Sequence, residues 1–289
     1  MKAPLVSIIM PAYCQAAFIA EAIESVCRSS FEDWELIVVD DGSPDNVAEI
    51  VCEKAKRDSR IHFFHTENSG VSAARNFGVA QSAGEYLLFL DADDTIESEY
   101  VERCVECLSV QPQVSVVYCQ WRFFGDCGET PEIHYEGFRA QLLKNHIFIT
   151  AMIRRSRFLE SGGFDLRMRS GLEDWEFWIR YLEDGGLVVQ LPERMFNYRI
   201  KAGSKNDSAH RGLEAFNSQL YILEKHKELY CREYGAPLFA LEDALVWGER
   251  SHRDLERIRK KYDAVFYRRI WRVLKALFVK RKAPRDRKQ

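Results

Sequence analysis

Several features that would place this 289-residue sequence in a familiar class at once are missing. No apolar run reaches the roughly 18 residues that a membrane-spanning helix needs. The apolar stretch in "MKAPLVSIIMPAY" is short and lacks a small-residue cleavage site, so we expect no secretory signal there. Neither GxxxxGK(S/T) nor a GxGxxG after the first predicted strand is present, which disfavours a Walker NTPase and a Rossmann dehydrogenase.

Cysteine is present eight times but without the dense spacing of a disulfide framework. The only CxxC, Cys104 to Cys107, lies in a predicted helix, and no second pair follows it at the spacing of a zinc site. The pattern favours reduced thiols, and it predicts a cytoplasmic protein.

Charge is distributed unevenly along the chain. Residues 257–289 contain 14 Lys or Arg and 2 Asp or Glu, whereas the first 256 residues contain 27 and 42. Between Lys261 and Lys282, apolar residues recur at three- and four-residue steps among the basic ones, which predicts a basic amphipathic helix. Such a helix can bind an anionic membrane surface, or it packs on the acidic body or forms a dimer contact. No recognition motif accompanies the charge, so we expect no nucleic acid partner.

Strand and helix patterns alternate over the first 125 residues. The buried-strand patterns "LVSIIMP", "WELIVVDD", "IHFFHTE", "EYLLFLDADD" and "VSVVYCQWRFF" are separated by helical ones. This alternation predicts an α/β fold with a mostly parallel sheet covered on both faces. Later segments mix short elements, "GLVVQLPERMFNYRI" is typical of a late strand pair, and only helices are predicted from Leu213 onward.

Acidic residues follow two of the predicted strands. Asp40 and Asp41 come after "LIVV", and Asp91, Asp93 and Asp94 come after "YLLFL". Ligands of open α/β sheets bind at the carboxyl ends of the strands. A hard divalent cation uses one or two carboxylates and completes its shell with phosphate and water. The clusters therefore favour a metal-bridged diphosphate site over the alternative of solvated turns that cap the next helix.

Three blocks of the sequence, in this order, resemble the family 2 glycosyltransferases of the GT-A fold. They are "VSIIMPAYCQAAFIAEAIESVCRSSFEDWELIVVDDGSPDN", "NSGVSAARNFGVAQSAGEYLLFLDADD" and "GGFDLRMRSGLEDWEFWIRY". The resemblance covers about Leu5 to Arg199. It implies a Rossmann-like, mostly parallel sheet flanked by helices, to which the chain adds a helical basic C-terminal extension.

The resemblance also implies a division of the chain. Residues 1–204 would form the glycosyltransferase domain, with a nucleotide-binding half at about 1–125 and an acceptor-binding half at about 126–204. Residues 205–289 would hold a lid loop and the basic extension. The loop "KAGSKNDSAHRG" has the composition of a lid, although an ordinary connector fits it equally well. Arg199, Lys205 and His210 are candidates to contact phosphate when such a lid closes.

On the donor side, the resemblance implies a metal site and a nucleotide-sugar site. Asp93 would coordinate Mn²⁺ or Mg²⁺ on the diphosphate, Asp91 would lie nearer the ribose or the sugar, and Asp94 could share either role. Arg75 would help to hold the nucleotide, the alternative being a salt bridge on a helix surface. The residues implied in donor binding are the turn Pro11, Ala12 and Tyr13, together with Asp41, Arg75, Asp91 and Ala92.

On the acceptor side, Glu173 and Asp174 resemble the Glu-Asp motif of the family, in which Asp174 would be the general base. The first-turn amides of a helix position a carboxylate and favour its charged form, and a base must lie within about 3 Å of the proton that it removes. The alternative is helix capping alone, because acids are common where helices begin.

The function implied is inverting transfer of a sugar from a nucleotide-sugar to a hydroxyl of a glycan or lipid-linked acceptor. UDP is the first expectation for the nucleotide, with dTDP and GDP open, as is the oligomeric state. Assembly of bacterial surface polysaccharide would place the protein in the cytoplasm or on the cytoplasmic face of the inner membrane. One alternative is a non-catalytic protein that binds a nucleotide-sugar or a glycan. A second is a sugar nucleotidyltransferase, but that class requires a glycine-rich basic loop after the first strand, and "MPAYCQAAF" has neither glycine nor a basic residue.

Overall fold

A computed structural model describes residues 3–125, 130, 132–201 and 213–235, with side chains of the last segment described from residue 217. The chain divides into two compact units, Met1–Lys227 and Glu228–Gln289. In chain order the elements are β1 (Val6–Ala12), α1 (Ile19–Cys27), β2 (Trp34–Asp41), α2 (Val47–Ala55), β3 (Ile61–Thr66), α3 (Val71–Gln81), β4 (Tyr86–Phe89), β5 (Thr95–Ile96), α4 (Tyr100–Val110), β6 (Val114–Gly125), α5 (Phe138–Leu143), β7 (Met152–Arg154), α6 (Arg155–Glu160), α7 (Glu173–Leu182), β8 (Leu187–Ile200), α8 (Leu213–Lys225) and α9 (Lys227–Tyr234).

Eight strands form one sheet in the order β3-β2-β1-β4-β7-β6-β8-β5. The pairs β1–β2, β2–β3, β1–β4 and β6–β8 are parallel. The pairs β4–β7, β6–β7 and β5–β8 are antiparallel. The predicted α/β fold with a mostly parallel sheet is confirmed, and antiparallel pairing enters only after β4.

One late element differs from its prediction. "GLVVQLPERMFNYRI" forms the single strand β8 rather than a pair of strands. Its pairing with β6 skips from Leu191 to Arg194 opposite the consecutive residues Cys119 and Gln120. Proline has no N–H to donate to a ladder, so a local irregularity lets Pro192 lie inside a strand.

The core has two parts, one on each face of the sheet. Neighbouring residues of a strand point to opposite faces, so Ile8 and Met10 lie on one side of β1 and Ile9 lies on the other. The first side is covered by α1, α2 and α4 through Ile19, Ile23, Val26, Val47, Val51, Tyr100 and Val101. The second is covered by α3, α6 and α7 through Ala74, Val79, Phe158, Phe177 and Trp178. This arrangement explains why the strands have continuous apolar runs.

The direction of chain progression across the sheet changes between β1 and β4. The chain moves from β1 outward to β2 and β3, then returns to the other side of β1 as β4. Such a switch point opens a crevice at the carboxyl ends of the two strands. Helix α3 packs tightly beside it, because a Cβ on Gly78 would lie only 2.6 Å from Ile9 Cγ2. This close approach fixes the face of α3 that carries Arg75.

Several predictions concern residues outside the described part of the chain. They are the lid at 203–212 with Lys205 and His210, the domain boundary at 204/205, and the basic helix at 261–282. These stay predictions. Within the described residues, no helix combines the length and apolar character needed to cross a membrane.

Candidate active site

The acids that follow β4 lie at the crevice between β1 and β4, and two of them face cationic side chains. Asp91 Oδ1 accepts a hydrogen bond from Arg75 Nη2 at 2.7 Å. The Asp93 carboxylate forms an ion pair with Lys201 Nζ, at the end of β8. The like charges that end this strand are therefore offset, in the protein alone, by two of its own cations.

Asp94 is buried and joins the loop after β4 to β8. Its Oδ1 accepts the backbone N–H of Arg199 at 2.8 Å, and Arg199 Nε donates to the Asp93 carbonyl at 2.7 Å. Burial raises the pKa of Asp94 well above its usual range, Asp93 and Asp91 act in the same direction, and the Arg199 amide opposes them. A metal or sugar contact needs an accessible oxygen, so this geometry disfavours the role shared with Asp93 or Asp91.

Arg75 joins the strand-end acids to the beginning of α7. Its side chain is 2% exposed. Nη1 donates to Glu173 Oε1 at 2.8 Å, and Nη2 donates to Asp91 Oδ1. Burial acts against the charge, but Asp91 and Glu173 raise the pKa of Arg75 above its usual value. The surface salt bridge considered for Arg75 is therefore wrong, because the residue is buried between two carboxylates that are 82 positions apart in sequence.

Asp174 lies in the first turn of α7, and both of its carboxylate oxygens are held. Oδ1 accepts the backbone N–H of Trp175 at 2.8 Å, and Oδ2 accepts Asn145 Nδ2 at 2.8 Å. Burial and the neighbouring Glu173 raise the pKa of Asp174 to about 7, with Arg75 acting in the opposite direction. A carboxylate with this pKa is partly ionised near neutral pH, which suits a general base.

The predicted nucleotide turn is shorter than expected. Pro11 and Ala12 are buried in β1, where they pair with Val39 and Asp40 of β2. The expectation of a turn at these two positions is wrong because the pairing of β1 with β2 continues to Ala12. Tyr13, the next residue, is exposed. It is the member of the predicted set whose ring can reach a ligand.

Asp41 ends β2 and holds the loop that leads into α3. Its two carboxylate oxygens accept the backbone N–H groups of Ser69 and Gly70, each at 2.8 Å. The neighbouring Asp40 binds His65 Nδ1 at 2.8 Å. Asp41 therefore shapes the crevice through the backbone, and its contact with a nucleotide stays a prediction.

Two residues of this site, Lys201 and Asn145, are not among those that the sequence predicts. Lys201 comes directly after β8, and only its ion pair with Asp93 shows that it belongs to the site. Asn145 lies in a segment between α5 and β7 with no periodicity to mark it. Only the three-dimensional structure brings it to Asp174.

A second charged cluster is built on Glu176, two residues after Asp174 on α7. Glu176 is 0% exposed and binds Arg180 Nε at 2.8 Å, Lys225 Nζ at 2.7 Å and His226 Nε2 at 2.9 Å. Burial opposes the charge, yet hydrogen bonds from His226 and Arg180 lower the pKa of Glu176 to about 2. Lys225 also binds Asp165 at 2.6 Å. These contacts fasten α8 to α7.

The residues available for a divalent cation are few. No group of three or more His, Cys, Asp or Glu among the described residues is arranged to hold a metal ion. The side chains of Asp91 and Asp93 are nevertheless 33% and 20% exposed. Because Mg²⁺ and Mn²⁺ use one or two carboxylates beside phosphate and water, this pair fits such a cation if Lys201 releases Asp93. Cys104 and Cys107 are free thiols in α4, in line with the expectation of reduced cysteines.

Comparison with known proteins assigns the family. Residues 7–175 match the family described as Glycosyl transferase family 2. The chain belongs to this family. The match includes β1 to β7 and the first turn of α7, and thus Arg75, Asp91, Asp93, Asn145 and Asp174.

Curated relatives include other glycosyltransferases of this kind. The family 2 chain is 44% identical over 116 residues to EpsJ, an uncharacterized glycosyltransferase of Bacillus subtilis, covering 40% of this chain and 33% of EpsJ. It is 28% identical over 253 residues to the putative glycosyltransferase EpsH of B. subtilis, covering 79% of this chain and 72% of EpsH. It is 30% identical over 208 residues to TuaG of B. subtilis, a putative teichuronic acid biosynthesis glycosyltransferase, covering 68% of this chain and 79% of TuaG.

Solved structures with the same fold include TarS of S. aureus. The complex of TarS residues 1–349 with UDP-GlcNAc has a TM-score of 0.63 and 19% identity, covering 78% of this chain and 73% of that one. The likeness confirms the GT-A fold expected for the family 2 domain. Because the chain spans only a third of EpsJ, the activity and substrates of the whole protein are matters for proposal.

Proposed function

We propose that this family 2 glycosyltransferase transfers a sugar from a nucleotide-sugar, UDP-linked in the first instance, to a hydroxyl of a glycan or lipid-linked acceptor with inversion. The observation that carries the proposal is the state of Asp174. It is a half-buried carboxylate that Asn145 Nδ2 and Trp175 N hold in place, and its pKa is raised to about 7. Glu173 and Arg75 connect it to the strand-end Asp91. A protein that only binds sugar has no need for such a base.

The proposed reaction is a single displacement in which Asp174 is the general base. Asp174 accepts the proton of the acceptor hydroxyl while the hydroxyl oxygen attacks the anomeric carbon of the donor. The bond from that carbon to the diphosphate breaks, and the nucleoside diphosphate leaves with the electron pair. One displacement at this carbon inverts its configuration. General base assistance of this kind contributes about 10²–10⁴-fold to a rate.

Arg75 supports both halves of this reaction. It keeps Asp91 in the crevice and holds Glu173 beside Asp174. Its positive charge also limits the rise in the pKa of Asp174, so that the base remains partly ionised near neutral pH. The donor nucleotide would lie against Tyr13 and the β2 end at Asp41.

Asp93, with Asp91 beside it, would hold Mn²⁺ or Mg²⁺ against the donor diphosphate. When bound, the cation would offset the negative charge of the leaving diphosphate, an effect that typically contributes several kcal/mol. Lys201 contacts the same carboxylate, so cation binding requires this ion pair to open. Arg199, two residues earlier, holds the loop that carries Asp93.

The choice of donor and acceptor is supported by relatives. TarS structures have been determined in complex with UDP and with UDP-GlcNAc. TuaG is named as a putative glycosyltransferase of teichuronic acid biosynthesis. We therefore propose a UDP-sugar as donor and a growing surface glycan as acceptor.

Thermal-shift measurement of UDP, GDP, dTDP and CDP, each with and without Mn²⁺, tests the donor site first. A ligand that binds only the native state stabilises it by about 2.7 kcal/mol at 100 times Kd. We expect a shift for UDP that grows with Mn²⁺ and disappears in Asp93→Ala. No shift with any nucleotide in the folded protein would contradict the proposal.

Release of UDP from UDP-GlcNAc, with candidate surface glycans as acceptors, tests the chemistry. Asp174→Asn is expected to lower turnover by about 10²–10⁴-fold. Asp184→Asn is the matched control, because it removes the same charge at an exposed position just after α7. Nucleotide binding without turnover in the wild type would instead support a non-catalytic binding protein.

A further inference from the structure

We infer that Asn145 is a positioning residue for Asp174, and that it holds the carboxylate of the base through one fixed amide group. This inference rests on the proposed function in one respect, namely the role of Asp174 as base. The contact between the two residues is a property of the fold, and it can be tested without any substrate.

The geometry separates Asn145 from ordinary helix capping. A carboxylate in the first turn of a helix is usually held by nearby backbone amides, and Trp175 N provides that contact to Oδ1. The second oxygen, Oδ2, is instead bound at 2.8 Å by a side chain 29 positions earlier in the sequence. Asn145 thus fixes the rotation of the carboxylate, which the capping contact alone leaves free.

The orientation of the Asn145 amide follows from its neighbours. Its Oδ1 accepts hydrogen bonds from Gln141 Nε2 at 2.8 Å and from Ile147 N at 3.3 Å. Exchanging the oxygen and nitrogen of the amide would place a donor against these donors and an oxygen against the Asp174 carboxylate. Asn145 therefore presents its NH₂ group to the base.

Gln141 is oriented in the same way, which extends the chain of contacts into the core. It is fully buried, and its Oε1 accepts the backbone N–H of His146 at 2.9 Å. The Gln141 carbonyl accepts Trp175 Nε1 at 2.6 Å, which ties α5 to α7. The path from the His146 amide through Gln141 and Asn145 to Asp174 is continuous, with one donor and one acceptor at each step.

Asn145 adds a neutral hydrogen-bond donor to the Asp174 carboxylate, which charged side chains also face. Glu173 on its own helix and Asp91 after β4 raise its pKa, and Arg75 on α3 lowers it. The α5 side contributes the neutral amide of Asn145, which donates to the charged form of the carboxylate. Donation to an ionised group is stronger than donation to a neutral one, so the contact stabilises the form of Asp174 that accepts a proton.

A double-mutant cycle between Asn145→Ala and Asp174→Ala, followed by thermal unfolding at about pH 5 and about pH 8.5, tests the inference. At the higher pH Asp174 is charged, and we expect Asn145→Ala to lower Tm by about 3–6 °C more than at the lower pH. In the Asp174→Ala background, Asn145→Ala should lower Tm by the same amount at both pH values. If Asn145→Ala lowers Tm equally at both pH values while Asp174 is present, the inference is overturned.

Asn76→Ala is the matched control. Asn76 also bridges two segments through its amide, binding Phe164 O at 2.9 Å and Phe164 N at 2.8 Å. Its substitution should lower Tm by an amount that does not depend on pH. If the fall in Tm changes with pH in the same way for Asn76→Ala and Asn145→Ala, then the pH dependence does not come from Asp174 and the inference fails.

Asn145→Asp keeps the size of the side chain and covers the case in which the alanine variant does not fold. It retains an acceptor for Gln141 and Ile147 but places a second carboxyl group against Asp174. Two such groups share a proton at acidic pH and repel each other once both are ionised. We expect near-normal stability at about pH 5 and a larger loss than in the alanine variant at about pH 8.5; a loss independent of pH would overturn the inference.

Activity gives a second, independent readout. In the UDP-release assay, Asn145→Ala should move the acidic limb of the kcat/KM profile upward by about one pH unit. A lower rate with an unmoved limb would leave Asn145 as a structural residue only. The unfolding measurements contain no donor, so a protein that fails to release UDP would contradict the proposed function and leave the Asn145 result standing.

Discussion

The two sides of the candidate site differ in how their residues are brought together. On the donor side, Asp41 ends a strand, Asp91 and Asp93 follow one, and the topology of the sheet places all three at one edge. On the acceptor side, Asp174 depends on partners from distant parts of the chain, above all Asn145. The positions of the donor-side acids thus follow from the pattern of strands, whereas the acceptor side is assembled by side-chain contacts that the pattern does not predict.

Arg75 is the residue that joins the two sides, and its loss should have the largest effect. Arg75→Ala leaves Asp91 and Glu173 without their shared cation, and breaking a buried pair in this way typically costs about 3–5 kcal/mol. The pKa of Asp174 should rise further, because Arg75 acts to lower it. We expect a fall in the free energy of unfolding in urea and a loss of UDP release of at least about 100-fold at neutral pH.

Arg103→Ala is the comparison for this variant. Arg103 pairs with Glu106 at 3.6 Å and with Glu193 at 3.4 Å on the protein surface, where such pairs contribute about 0–1 kcal/mol. Similar losses for the two variants would show that Arg75 is an ordinary ion-pair partner, and that the two sides of the site are not joined through it.

The contrast also explains how much of this protein can be predicted from its sequence. The strand and helix patterns predict β1 to β4 and α1 to α4, because each pattern is set by its own residues. The ends of β1 and the form of β8 are missed, because pairing with β2 and β6 decides them. Asn145 and Lys201 are missed for the same reason, since each matters only through a partner that is distant in sequence.

Glu176 tests whether α8, which lies beyond the family match, supports the acceptor side. Glu176→Gln keeps the shape but removes a buried charge that meets Arg180, Lys225 and His226. We expect a loss of about 2–4 kcal/mol in the free energy of unfolding at neutral pH. UDP release should fall less than in Arg75→Ala, because Asp174 keeps its own contacts.

The pH dependence of this loss identifies its cause. The pKa of Glu176 is lowered to about 2 from an ordinary 4.5, so its contribution is present above about pH 4.5 and is lost as pH falls towards 2. The difference between wild type and Glu176→Gln, measured by urea unfolding, should therefore shrink over this range. A difference that stays constant would mean that the charge of Glu176 contributes little.

Asp174 should show the opposite pH dependence. Its pKa is about 7 in the folded protein and ordinarily 3.8, so the folded state holds a proton that the unfolded state has released. The wild type should lose stability relative to Asp174→Asn as pH rises from about 4 to about 7, with no further change above that. Melting temperatures across this range measure the difference, and a flat difference would show that Asp174 has an ordinary pKa and is poorly suited to act as a base.

Substitution of Lys201 should have the smallest effect of these variants, and it tests the predicted cation site of the donor side directly. In the protein alone, its ammonium group lies on Asp93 and also binds Gln15 Oε1 at 3.1 Å. A divalent cation on Asp93 must compete with it, so Lys201→Gln should bind Mn²⁺ more tightly, by about 3–10-fold for a partly exposed pair. Titration of Mn²⁺ by electron paramagnetic resonance without nucleotide measures this affinity directly.

Lys54→Gln, which removes a surface lysine paired with Glu24, should leave the affinity unchanged. If Lys201→Gln binds Mn²⁺ no more tightly than the wild type, then Asp93 is not the cation ligand, and its position after β4 does not mark the cation site.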